Sequence, residues 1–102
     1  MSKAHLADLR NHLARHHWRI ARELPGDGHR ISAIWELVRP SGGSSLHLEF
    51  DGLNEVAVLP LDQAYACHVK EAPEVSAYFA RIHRSWPEEL DAFLGKLNGL
   101  AT

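Results

Sequence analysis

The stretch ISAIWELVRPSGGSSLHLEF, residues 31–50, decides the fold of this chain. Every second residue is apolar along 31–37 and again along 46–50, which is typical of strands that bury one face. The segment between the two runs, Pro-Ser-Gly-Gly at 40–43, is made of residues that favour turns. The sequence therefore predicts an antiparallel hairpin with one apolar and one polar face.

The register of this hairpin follows from matching its two faces. If Arg39 pairs with Ser44, apolar residues face one another on one side and a carboxylate faces an imidazole on the other. The resulting pairs are Leu37–Leu46 and Trp35–Leu48 on the inner face and Glu36–His47 on the outer face.

Residues 3–24, before the hairpin, have the periodicity of one long amphipathic helix. Pro25 and Gly26 are expected to end it. Its outward face is basic, whereas its inward face is apolar. The inward residues are Leu6, Leu9, Leu13, Ile20 and Leu24, and the outward ones include His12, Arg15, Arg19 and Arg22.

The chain after the hairpin predicts further strands and a final helix. Strands are expected at 55–60 and at 65–70. Residues 75–82 fit both a strand and a short helix, and we favour the strand. The last helix begins at 85–88, where Ser-Trp-Pro-Glu forms a capping box with proline in the first turn, and it stops near Gly99.

Together these segments predict a single small α+β domain over residues 1–102. Its sheet is an antiparallel meander of three to five strands, with the N-terminal and C-terminal helices packed on one face. The predicted core comprises Leu6, Leu9, Leu13, Ile20, Leu24, Trp35, Leu37, Leu46, Leu48, Phe50, Val58, Phe79, Leu90, Phe93, Leu94 and Leu97. The other face of the sheet shows Ile34, Glu36, Val38, His47 and Glu49.

The composition fits one globular domain of 102 residues, 45% apolar and 24% charged. No stretch reaches the ~18 uncharged apolar residues of a membrane-spanning helix. The net charge of −2 is unevenly divided: residues 1–40 carry seven Lys and Arg against four Asp and Glu, and residues 41–102 carry four against nine. Such a split suits either a polyanion-binding arm or two halves that attract each other, within one chain or across a dimer.

The sequence favours a cytoplasmic protein. Lys3, Asp8 and Arg10 interrupt any apolar run near the N-terminus, so a secretory signal is not expected there. A single cysteine, Cys67, excludes an internal disulfide framework and suits a reducing compartment.

Several residues near the end of the chain carry a resemblance. They are the segment Ala64-Tyr65-Ala66-Cys67, the pair Tyr78-Phe79, Trp86, and the pairs Glu89-Leu90 and Phe93-Leu94. Over about 35 residues this pattern resembles the C-terminal halves of small uncharacterised bacterial proteins. The resemblance implies a bacterial source and a strand at 75–82, and it implies nothing about chemistry.

Three of the eight histidines lie close together. His12 and His16 are one helical turn apart and could supply two ligands to a transition metal, but a third ligand is missing, so no metal site is predicted. His17 falls inside the apolar arc of the predicted helix. It is the candidate pH-sensitive group, because burial disfavours a charged imidazole.

The basic helix face offers a possible site for nucleic acid, formed by Arg15, Arg19, Arg22 and His12. The order helix, three strands, helix also resembles that of double-stranded RNA-binding domains. Those domains begin their last helix with lysines, whereas this chain has Glu88, Glu89 and Asp91 there. We therefore expect a solvated helix face in preference to a nucleic-acid site.

The leading functional hypothesis is an interaction or regulatory domain with no catalytic residues and no cofactor. Its partner would be another protein or a second copy, bound through Arg15, Arg19, Arg22 and His12 on the helix and Ile34, Val38 and His47 on the sheet. One alternative is a small-ligand binder or enzyme with a pocket between helix and sheet, using His17, Tyr65, Cys67 or His83. The other is nucleic-acid binding through the basic first helix.

Overall fold

A computed structural model describes residues 3–27, 29–40, 42–43, 45–52, 58–79 and 85–100. These residues form two helices and five strands. In chain order they are α1 (Lys3–Arg15), β1 (Arg19–Pro25), β2 (Ile31–Val38), β3 (Leu46–Asp51), β4 (Ala66–Val69), β5 (Ala72–Tyr78) and α2 (Trp86–Leu100), with one 3₁₀ turn at Leu61–Gln63.

The five strands form one antiparallel meander in the order β1-β2-β3-β4-β5. The predicted α+β fold is therefore confirmed. The register of the central hairpin is also the predicted one, with Leu37 opposite Leu46, Trp35 opposite Leu48 and Glu36 opposite His47. Alternation of apolar and polar residues was sufficient to set this register, because one face of the pair is buried.

The predicted helix at 3–24 is wrong in its second half. It ends at Arg15, and the next residues turn and enter β1, which adds a fifth strand to the sheet. The turn is closed by backbone hydrogen bonds from His17 to Ala14 at 3.0 Å and from Trp18 to Leu13 at 2.9 Å. His17 has a φ of 66°, in the left-handed region that ends many helices.

The strand predicted at 65–70 is present as β4, and the segment at 75–82 is a strand, as favoured, through Tyr78. Residues 80–82 of that prediction lie outside the described residues. The first half of the strand predicted at 55–60, residues 55–57, lies outside them too. Within the described part, Val58 makes only an isolated bridge and Leu59 donates to the Gly52 carbonyl at 2.7 Å, so no strand forms at 58–60.

The core lies between the two helices and one face of the sheet. The buried residues there include Leu9 and Leu13 of α1, the inward residues of the strands, and one stripe of α2. Four predicted core residues are only partly buried: Leu6, Ile20, Leu24 and Val58. The remaining predicted core residues are buried, among them Trp35, Leu37, Leu46, Leu48, Phe50, Phe79, Leu90, Phe93, Leu94 and Leu97.

The two outer strands carry features that hinder pairing with a further strand. β1 has a register irregularity between Ile20 and Arg22, charged side chains, and Pro25 at its end. On β5, the backbone N–H of Tyr78 donates to Oε1 of Glu89 in α2 at 3.1 Å. Contacts with another chain are therefore more readily made by the faces of this domain than by its sheet edges.

Candidate functional site

The sheet face that points away from the helices is the candidate functional site, and we call it the outer face. Its side chains are polar for the most part and, except for the exposed arginines of β1, are partly buried. They are Arg19, Arg22 and Leu24 on β1, Ile34, Glu36 and Val38 on β2, His47, Glu49 and Asp51 on β3, His68 on β4 and Ser76 on β5.

One chain of polar contacts crosses the outer face from β1 to the β4–β5 turn. The guanidinium of Arg22 donates to Glu36 Oε2 at 2.7 Å. His47 lies opposite Glu36 in register, with its Nε2 3.6 Å from the same oxygen. On its other side, Nδ1 of His47 is 2.7 Å from Glu71 Oε2, and the backbone N–H of His47 donates to Glu71 Oε1 at 2.8 Å.

These contacts favour the charged forms of Arg22, Glu36 and Glu71. The hydrogen bond between Arg22 and Glu36 raises the pKa of the arginine and, with the neighbouring charges, lowers the pKa of the carboxyl. Partial burial works to raise the pKa of Glu71, but hydrogen bonds led by the His47 backbone N–H outweigh it, so that this pKa is lowered. Arg22 and Glu36 therefore form an ion pair at neutral pH, and the Glu71 carboxylate lies at the other end of the chain of contacts.

A second group is centred on His68, which is held between two carboxylates of β3. Its Nδ1 lies 2.9 Å from Asp51 Oδ2 and its Nε2 lies 2.9 Å from Glu49 Oε1. The His68 side chain is only 15% exposed. A carboxylate only accepts hydrogen bonds, and a neutral imidazole has one N–H to donate. Both contacts of His68 can therefore be hydrogen bonds at the same time only if the imidazole or one of the two carboxylates carries an extra proton.

A shallow recess of about 280 Å³ opens beside His68 at the Asp51 end of the outer face. It is smaller than the usual pocket for a drug-sized ligand. Charged and hydroxyl-bearing side chains provide most of its lining. The residues around it are Arg30, Asp51, Ala66, Cys67, His68, Pro73, Ser76 and Tyr78.

Ser76, His68 and Asp51 have the composition of a nucleophilic triad but not its geometry. Ser76 lies opposite His68 in register. A general base would need a free ring nitrogen directed at the serine hydroxyl, whereas both nitrogens of His68 face carboxylates. Cys67 is fully buried, and burial raises the pKa of its thiol, which disfavours the reactive thiolate.

The structure brings some of the sequence-predicted site residues together and separates others. Ile34, Val38 and His47 lie on the outer face as predicted. Arg22 joins them there, because it lies on β1 opposite Glu36 and not on a helix. Arg19 begins β1 opposite Val38, whereas His12 and Arg15 stay on α1. The continuous basic helix face expected from the sequence is therefore divided between a helix and a strand.

The histidine predictions are partly corrected. His17 is exposed in the turn after α1, so the expectation that it lies buried on the apolar side of a helix is wrong. Nδ1 of His12 lies 2.9 Å from the Asp8 carbonyl, and Nδ1 of His16 accepts a hydrogen bond from Asn98 at 2.7 Å. Among the described residues, no three His, Cys, Asp or Glu side chains are grouped so that they could hold a metal ion.

The alternative hypothesis placed a pocket between helix and sheet. The recess beside His68 lies instead on the outer face of the sheet. In the described part of the chain, large apolar side chains fill the helix–sheet interface. Of the four residues proposed for that pocket, only Cys67 lines the recess. Tyr65 is exposed, and His83 lies outside the described residues.

Sequence reasoning missed four members of the site: Asp51, His68, Glu71 and Ser76. His68 sits in a four-residue strand whose register cannot be read from hairpin matching, because a long connection separates it from β3. The sequence did contain one indication of this site. His68 is a polar residue that alternates with the apolar Cys67 and Val69, which is the pattern of a side chain on the polar face of a strand.

Comparison of the chain with protein-family models, with curated proteins and with solved structures finds no match. Among the described residues, no helix is long and apolar enough to cross a membrane. The function is therefore inferred from the geometry of the outer face alone.

Proposed function

We propose that this chain is a small interaction domain that binds another protein through its outer face and performs no catalysis itself. One observation carries the proposal: the two helices cover one face of the sheet, whereas the other is an ordered array of polar contacts with half-buried Ile34 and Val38 beside it. A mixed polar and apolar surface of this kind is typical of non-obligate protein interfaces.

The way the face is ordered supports a binding role. Each of His47 and His68 contacts two carboxylates, so the side chains are already held in place before a partner arrives. Binding then loses less side-chain entropy than it would at a surface of mobile residues. Since the composition and the single cysteine suit a reducing compartment, we place this activity in the bacterial cytoplasm.

The test is affinity capture from an extract of the source cells with three baits. The first is the unchanged chain. The second carries Ile34→Asp and His47→Ala on the outer face. The matched control carries Glu88→Gln and Asp91→Asn, which lie exposed on α2, far from the sheet face.

We expect a partner that the unchanged chain and the α2 control both retain and that the outer-face variant loses. Circular dichroism of each bait checks that the variants fold. A partner retained equally by all three baits would contradict the proposal, and so would hydrolytic or transfer activity that His68→Gln abolishes.

A further inference from the structure

The recess beside His68 has two opposite charges in its lining. Arg30 lies directly before β2, and Asp51 is the last residue of β3. A backbone hydrogen bond of 2.9 Å from the Gly52 N–H to the Arg30 carbonyl joins these two strand ends. Both charged side chains line the recess, but they form no ion pair with each other. A guanidinium and a carboxylate are therefore both open to a ligand at this point.

The guanidinium of Arg30 is the first of these two groups. In the part of the chain that the structure describes, it has no hydrogen-bond or ion-pair partner, and the residue is exposed. A guanidinium holds its N–H donors in a planar fork, which matches both oxygens of a carboxylate. Arg30 is therefore the group in the recess that is best suited to hold a ligand carboxylate.

The carboxylate of Asp51 is the second group, and His68 already orients it. Oδ2 of Asp51 lies 2.9 Å from Nδ1 of His68. The other oxygen, Oδ1, has no partner within the described residues, and the side chain is 21% exposed. A carboxylate only accepts hydrogen bonds, and its strongest donors are positively charged. This free oxygen is therefore suited to a ligand ammonium group.

Small and apolar groups form much of the rest of the recess. Ala66 lies between Asp51 and Tyr78 in register, and its single methyl group leaves a gap between these longer side chains. Pro73 and Tyr78 line the recess from β5, together with the hydroxyl-bearing Ser76. The volume of about 280 Å³ equals that of about nine water molecules. This space suits a molecule with a small side chain.

We propose that the recess binds a small zwitterion, a free α-amino acid. The carboxylate of the ligand lies against Arg30 and its ammonium group against Asp51. Its side chain lies over Ala66, toward Pro73. A simple anion would leave the Asp51 carboxylate unpaired beside it, and a simple amine would leave the Arg30 guanidinium unpaired. A ligand that carries both charges satisfies the two groups together.

This inference goes beyond the proposed function and does not depend on it. The partner-capture test rests on Ile34 and His47, whereas the ligand is held by Arg30 and Asp51 at one end of the outer face. A chain that binds the amino acid but captures no partner, or that captures a partner but binds no amino acid, therefore separates the two conclusions.

The binding is expected to be weak, because the recess is shallow and both charged groups remain in contact with water. For a ligand of about eight non-hydrogen atoms we expect a Kd of about 1–10 mM. Salt should weaken the binding further, since exposed charges are screened.

Titration of the isotopically labelled chain with L-valine, followed by NMR, tests the proposal. The backbone amide signals of Ala66, His68 and Tyr78 should shift in a saturable way, whereas those of α1 should not. Two analogues each lack one charge: isobutylamine lacks the carboxylate, and isovalerate lacks the ammonium group. Each analogue is expected to bind at least about fivefold more weakly than L-valine, because it pairs with only one of the two groups.

Three variants test the position of the ligand. Arg30→Gln removes the guanidinium, and Asp51→Asn removes the charge but keeps an oxygen for His68. Each should weaken the binding of L-valine at least about fivefold. Ala66→Leu fills the gap without a change of charge and should abolish the saturable shifts.

The matched control carries Arg15→Gln on α1 and Asp91→Asn on α2, both exposed, and should bind L-valine as the unchanged chain does. Because Arg30 is exposed, Arg30→Gln keeps the test valid if Asp51→Asn or Ala66→Leu does not fold. The proposal is overturned if L-valine gives no saturable shifts up to about 50 mM, or if either analogue binds as tightly. Tighter binding of the dipeptide glycyl-L-valine overturns the free amino acid as the ligand. An unchanged affinity in the folded Arg30→Gln variant overturns the site.

Discussion

The indole Nε1 of Trp18 donates a hydrogen bond to Oδ1 of Asn98, 3.0 Å away in space and 80 residues later in the chain. Arg39 donates to the same oxygen at 2.9 Å, and its guanidinium lies 4.4 Å from the centre of the Trp18 ring. The amide nitrogen of Asn98 donates to Nδ1 of His16 at 2.7 Å. One side chain of α2 thus joins the turn after α1 to the end of β2.

Asn98→Ala is expected to destabilise the domain by about 1–3 kcal/mol, because it removes the acceptor shared by two partly buried donors. Urea denaturation of the variant and of the unchanged chain measures the difference. Lys96→Ala, an exposed change on the same helix, is the matched control and should alter the free energy of unfolding far less. Equal effects of the two substitutions would show that the contacts of Asn98 contribute no specific stability.

The turn after α1 also explains why the first helix was predicted too long. Residues 18–24 place Trp18, Ile20 and Leu24 at spacings that fit the continued helix as well as an alternating strand. Pairing of this segment with β2 and burial of Trp18 decide for the strand. Neither contact can be read from local periodicity, since each depends on residues far along the chain.

His17 is expected to be replaceable by glycine without loss of stability. Its φ of 66° is accessible to glycine at no steric cost, whereas a β-branched residue is strained there. Thermal or urea unfolding should show His17→Gly to be neutral or more stable by up to about 1 kcal/mol, and His17→Ile to be less stable by about 1–2 kcal/mol. A glycine variant less stable than the isoleucine variant would contradict this reading of the turn.

The outer face was only partly predictable, for a similar reason. Alternation within the hairpin correctly placed Ile34, Glu36, Val38 and His47 on it. The contacts of His68 were not predictable, because they need the register between β3 and β4. Glu89 shows the same limit: at the start of α2 it suits the helix dipole, yet it is buried and accepts the Tyr78 backbone N–H.

The loop before β2 is expected to make stability depend on acid pH through Asp27. Its Oδ1 accepts backbone N–H bonds from His29, Arg30 and Ile31 at 2.8–3.0 Å. These bonds, led by that of Ile31, lower the pKa of Asp27 to about 2. Because the folded pKa lies below the unfolded one, near 3.9, the carboxylate stabilises the fold at higher pH. This contribution is lost as the pH falls from about 4 to about 2.

Asp27→Asn provides the measurement, since it keeps one side-chain oxygen but not the charge. The unfolding free energy of the unchanged chain should exceed that of the variant above about pH 5, and the difference should shrink as the pH falls toward 2. A difference that stays constant across this range would mean that the ionised carboxylate is not what holds the loop.

The thiol of Cys67 is expected to be inert until the domain unfolds. It is fully buried on β4, and burial raises its pKa, so both access and the thiolate are missing in the folded state. Because the chain has one cysteine, labelling with a chromogenic disulfide reports on this residue alone. The rate in buffer should be at least ~100-fold below that in denaturing urea, and the labelled fraction should follow the unfolding curve. Rapid labelling of the native chain, with its circular dichroism unchanged, would contradict this expectation. It would show that β4 opens locally and exposes the Cys67 thiol.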